Sequence, residues 1–117
     1  EFEISPVRLD GSVIKDESGI TAGVTVKNAG KKAGTEVVQL YIQDIAASVV
    51  RPVKELKGFR KVELQPGEEK EITFVIDEPM LRFLRADGTV GSEEGDFCLF
   101  IGNSSDTENR INFRYEA

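Results

Sequence analysis

Short apolar–polar alternations, each cut off by a turn signal after about ten residues, constrain this chain more than any other feature. Val24 and Val26 alternate with polar neighbours, and Val38, Leu40 and Ile42 oppose Val37, Gln39 and Tyr41. The cleanest case is Ile72, Phe74 and Ile76, with Glu71, Thr73, Val75 and Asp77 on the other face. Phe97, Leu99 and Ile101 make a late strand, and Ile111, Phe113 and Tyr115 the last. Phe2, Ile4 and Val7–Leu9 open the chain, with Pro6 marking an edge or a bulge because proline cannot donate to a ladder. Leu56, Phe59, Val62 and Leu64 mark a fourth, less regular strand around Gly58. A short strand is expected near Leu81–Phe83.

The breaks between these segments carry turn chemistry. Asn28-Ala29-Gly30 and Ala33-Gly34 bracket a basic loop, and Asp87-Gly88, Glu94-Gly95 and Asn103-Ser104-Ser105-Asp106 mark others. Pro66-Gly67 suits a type II turn, since proline pre-sets φ and glycine accepts φ > 0. No stretch sustains a helical period, although Pro79-Met80-Leu81 is compatible with one helical turn. The expected fold is an all-β, immunoglobulin-like β-sandwich of about seven strands in two sheets. The 117 residues suit a single domain, 1–117, large enough for one core.

Composition narrows function by exclusion. The net charge of −6 repels phosphate backbones, so no nucleic-acid partner is expected. No apolar run approaches the ~20 residues of a membrane-spanning helix, and no secretory signal is visible, which leaves the compartment open. The chain begins at Glu1 rather than methionine, as expected of a piece of a longer polypeptide. With no histidine, imidazole-based triads and ordinary histidine metal sites are unavailable. Cys98 is the sole cysteine, so no internal disulfide forms, and its apolar surroundings point to a buried structural thiol.

The remaining candidates are weak. Glu93-Glu94 lies in a hydrated turn where nothing raises a carboxyl pKa for glycosidic acid/base work. Asp87 and Asp96 are potential calcium-loop ligands but lack EF-hand spacing, and turn chemistry explains them. A sugar-binding face needs exposed aromatic rings, and there is no tryptophan. Tyr41 opposes the apolar phase of its strand, and burial beneath a flanking loop is its expected environment. Asn103-Ser104-Ser105 fits the N-glycosylation pattern, which matters only in a eukaryotic secretory protein. No catalytic residue, cofactor or metal is expected.

The run Arg51-Pro52-Val53-Lys54-Glu55-Leu56-Lys57-Gly58-Phe59, followed by Leu64-Gln65-Pro66-Gly67-Glu68, is long enough to be specific. With Val24–Gly30, Ala33–Ile42 and Gly95–Ser105 in order, it resembles the fibronectin type III-like domain at the C-terminal end of glycoside hydrolase family 3 enzymes. This is the β-glucosidase and β-xylosidase family, and the resemblance spans residues 2–105. Where the family often carries a tryptophan, this chain has Thr89-Val90-Gly91.

The resemblance implies a fibronectin type III-like sandwich without catalysis of its own. The family's aspartate nucleophile lies on an N-terminal barrel and its acid/base glutamate elsewhere, often on an α/β domain; neither maps onto any position here. The implied role is an accessory, stabilising domain whose partners are the catalytic barrel and α/β domains of the same polypeptide. The alternative is a free-standing module that binds carbohydrate or protein. The expected docking element is the loop from Ile45 to Val53, because Ile45, Val49 and Val50 are apolar where a free loop is polar. Arg51 adds a planar fork for carboxylates or carbonyls, and Pro52 follows it.

Overall fold

A computed structural model describes residues 2–15, 19–45, 54–81, 83–84, 90–91 and 94–116. The chain folds as two packed antiparallel-dominated sheets. The first centres on β4 (Ile20–Asn28), which pairs along its whole length with β7 (Glu69–Ile76). Two short strands, β1 (Phe2–Ile4) and β2 (Arg8–Leu9), pair with β4 in succession at Val26–Asn28 and at Ala22–Gly23. Pro6 falls in the gap between them, where no ladder bond is asked of it.

The second sheet has the order β3-β11-β10-β5-β6. Its members are β3 (Val13–Lys15), β5 (Gly34–Asp44), β6 (Lys54–Leu64), β10 (Gly95–Gly102) and β11 (Arg110–Glu116). All neighbours run antiparallel except β3, which lies parallel to β11. The segment from β2 to β3 thus crosses from one sheet to the other. A 3₁₀ turn at Glu78–Leu81 precedes a two-strand ribbon of β8 (Phe83–Leu84) and β9 (Val90–Gly91).

The alternation fixes the core. Ala22, Val24, Val26, Phe74 and Ile76 from the first sheet meet Val38, Leu40, Leu99, Ile101 and Phe113 from the second, all buried. Phe97 and Phe113 stack across the β10–β11 pair, with centroids 5.5 Å apart and planes 18° from parallel. Asn28, the one wholly buried polar residue among those described, is fully satisfied. Its Nδ2 donates to the Lys32 and Leu64 carbonyls (2.8 and 3.1 Å) and its Oδ1 accepts from the Gly30 N–H (2.9 Å). These bonds fasten the β4–β5 loop to the end of β6, where leaving a buried amide unpaired costs ~1–3 kcal/mol. Gly67 takes φ 79° in the turn Gln65–Glu68, closed by the Glu68 N–H to the Gln65 carbonyl at 3.0 Å. That is the type II turn expected of Pro66-Gly67.

Strand β6 departs from the simple alternation. Its register against β5 slips between Leu40 and Tyr41: Gly58 faces Leu40, Leu56 faces Tyr41, and Lys57 is the extra residue. The extra residue reverses the phase of the strand before it, so Leu56 points outward although it shares parity with Val62 and Leu64, whereas Phe59 is outward by plain alternation. Val62 and Leu64 reach the core as expected, but Leu56 and Phe59 are 53% and 61% exposed on the outer face. Their expected place in the strand's apolar set is corrected accordingly.

Candidate docking surface

Of the expected docking loop, Ile45 alone falls among the described residues; Val49, Val50, Arg51 and Pro52 lie outside them. Ile45 is 42% exposed, and its N–H donates to the Asp96 carbonyl at 3.1 Å, prolonging the β5–β10 ladder by one bond. It therefore sits on a braced strand end rather than on a free tip.

The outer face of the same sheet begins beside it. Tyr41, Cys98 and Phe100 form a second buried cluster there, on β5 and β10. Tyr41 is only 8% exposed, and its hydroxyl donates to Gln39 Oε1. Gln39 Nε2 in turn donates to the Asn103 carbonyl at 3.1 Å. Lys54 closes this cluster: its Nζ lies 4.0 Å from the Phe100 ring centroid and 5.8 Å from that of Tyr41. The same ammonium donates to the carbonyls of Ser105 (2.6 Å) and Thr107 (3.0 Å), pinning the β10–β11 loop. Tyr41 is thus buried, as expected, but by lysine and phenylalanine on its own sheet rather than by the flanking loop expected to cover it. Burial raises the Cys98 thiol above its usual range; Arg110 and Lys54 oppose that rise and Glu108 adds to it.

Further along this face the cover ends. Leu56 stands opposite Tyr41 and Phe59 opposite Gln39, at successive outward positions; Phe59 is outward by plain alternation and the bulge brings Leu56 into the same phase. Lys61, opposite Val37, is exposed at the next outward position. Arg60 turns the other way, its guanidinium carbon 5.1 Å from the Phe74 ring centroid, and screens the side of the sandwich between β6 and β7. The sequence did hold a signal for Phe59, which differs in parity from Val62 so that one regular strand cannot bury both; Leu56 shares Val62's parity, and only Gly58 near it hinted at a break.

The other concavities are of a different kind. A cleft of about 30 Å³, room for about one water, lies between Ile42, Asp44, Glu55, Lys57, Met80, Leu81 and Phe97. A shallow groove of about 370 Å³ crosses the outer face of β4 and β7 at Gly23 and Thr73. Arg8 spans it, bound to Glu71 Oε2 at 3.1 Å and to Ser5 and Thr25 hydroxyls. Among the described residues no three His, Cys, Asp or Glu side chains gather as a metal site. Asp96 accepts from Arg114 at 3.2 Å, and Asn103 is an exposed turn residue whose Nδ2 donates to Glu36 at 3.3 Å. Asp87 lies outside the described residues.

The model of the fibronectin type III-like domain matches residues 36–105, more than half of the chain. The chain belongs to that family. This fibronectin type III-like domain is 47% identical over 108 residues to the thermostable β-glucosidase B of Acetivibrio thermocellus, covering 90% of this chain and 14% of that protein. It is 43% identical over 104 residues to the periplasmic β-glucosidase of Salmonella typhimurium, covering 89% of this chain and 14% of that one. Among solved structures, a β-glucosidase from Listeria innocua in complex with gluconolactone superposes with a TM-score of 0.90 at 37% identity. The whole of this chain is matched there, against 16% of the other. The fibronectin type III-like domain therefore spans about one seventh of the length of the curated relatives it matches. The kinship with β-glucosidases expected from the Arg51–Phe59 run is borne out.

Proposed function

We infer that this fibronectin type III-like domain is the non-catalytic accessory domain of a β-glucosidase-type, family 3 glycoside hydrolase, where it packs against the catalytic domains and stabilises them. One observation carries the reading: the domain is matched almost end to end within β-glucosidases of which it makes up only 14–16%. The side chains agree with it. Glu71 and Asp96 are bound to arginines on exposed strand faces, and the cleft that Asp44 and Glu55 line has room for about one water rather than a sugar ring. A glycosidase needs two carboxyl groups about 5–9.5 Å apart flanking the scissile bond.

Two measurements test the reading together. The 117-residue chain alone should release no product from aryl β-glucosides or β-xylosides between acid and neutral pH. A β-glucosidase that contains this segment should lose melting temperature when the segment is deleted. Turnover by the pure chain that vanishes with one of its own carboxylates would overturn the non-catalytic assignment. Deletion with no effect on stability or activity would overturn the accessory role.

A further inference from the structure

We propose that the outer face of strand β6, centred on Leu56 and Phe59, is the surface through which this domain docks onto the catalytic portion of its own polypeptide. The proposal rests on the accessory-domain reading and names the face it uses. Leu56 and Phe59 are 53% and 61% exposed at neighbouring outward positions, and Ile45 lies farther along the same face at 42%. The bulge at Lys57 brings Leu56 onto the face that Phe59 already occupies, since an unbroken strand would carry only one of the two outward. The exposed Val75 on β7 stands by itself, opposite Thr21 and flanked by Thr73 and Asp77, and single apolar side chains are ordinary on surfaces.

Charge and area decide the occupant. On this face Lys61 is exposed and Lys54 lies beside the apolar pair with its ammonium over Phe100, so the face is locally basic within a chain of net charge −6 and suits an apolar surface with an acidic rim. Leu56, Phe59 and Ile45 together expose at most a few hundred Å² of apolar surface. A stable pair of free copies buries about 800 Å² on each partner. Domains of one chain associate through smaller, more polar contacts, since covalent linkage supplies roughly millimolar effective concentration. Pairing of two copies through the β6 edge is opposed by the bulge and by the lysines and arginine along it.

The test is thiol labelling, resolved by peptide mass spectrometry, in the 117-residue chain and in the full-length polypeptide that contains it. The F59C thiol should react with a maleimide at least about tenfold more slowly in the full polypeptide than in the chain. The V75C thiol, on the outer face of the opposite sheet, should react equally fast in both. In parallel, L56S/F59S should lower the melting temperature of the full polypeptide and leave that of the chain unchanged. Equal labelling of F59C in both, or protection of V75C instead, would overturn the proposed face while the accessory role stands. Slow labelling of F59C already in the chain, with a dimer in sedimentation, would assign the face to a second copy and overturn the proposal. Failure of the deletion experiment above would instead remove the reading on which the proposal rests.

Discussion

Individual side chains of this domain are held by contacts that cross between strands. Phe74 is the plainest case: it is 4% exposed, Arg60 lies over its ring, and Gly58 faces it, a Cβ built there falling 3.5 Å from two ring carbons. Phe74→Ala should cost the chain about 3–5 kcal/mol in denaturant unfolding, as removal of a buried phenylalanine does. A loss under about 1 kcal/mol would contradict the inward assignment. Phe74 was legible in the sequence because Ile72 and Ile76 share its phase. Arg60 was not, because nothing in the order of residues shows that a long cation will fold over a ring on the next strand, which belongs to the other sheet. Cys98 gives a pH test. Its folded-state pKa is raised, mainly by burial, so the unfolded chain loses its thiol proton first as pH rises. The stability this group contributes is therefore present below the ordinary thiol pKa of about 8.5 and declines as pH climbs from there through the folded value. Cys98→Ala should flatten that alkaline decline in urea melts from pH 7 to 10. An unchanged slope would assign it to other groups.

At the level of elements, regular strands were readable and irregular ones were not. Strands β4, β5, β7 and β10 bury the residues that their alternation nominates, and β11 buries Phe113 and Tyr115 with Ile111 partly covered. In β6 the bulge shifts the phase midway, so residues that look alike in sequence end on opposite sides. The docking loop could be nominated by its apolar content, yet the described structure places exposed apolar surface on the strand beside it. The loop after β10 shows a different constraint. A Cβ built on Gly102 would lie 2.4 Å from Thr107 Cβ, inside any real contact. The loop cannot swing away freely, because Lys54 and Asn109 both hold it; Asn109 Nδ2 donates to the Ser5 carbonyl at 2.9 Å and the Ile101 carbonyl at 3.0 Å. Gly102→Ala should therefore destabilise the chain by about 1–3 kcal/mol in thermal or urea unfolding, the usual cost of overpacking. A neutral result would mean the loop yields easily.

For the molecule as a whole, fold class followed from periodicity, and membership of the family from the Arg51–Phe59 and Leu64–Glu68 runs together. The parallel placement of β3 against β11 could not be read, because three residues of alternation do not reveal which neighbour they meet or in which direction. That placement has a mechanical side. Val13, Ile14 and Lys15 align with Arg114, Tyr115 and Glu116, and Arg114 also donates its N–H to the Ser12 carbonyl at 2.8 Å. In a parallel pair, a pull on the chain before β3 and an opposite pull beyond β11 slide the strands along each other. The rungs then share the load and must rupture together, whereas antiparallel strands pulled apart from one end open one rung at a time. Opposed forces applied at Val13 and at Glu116 would thus meet a shear clamp at the edge of the second sheet.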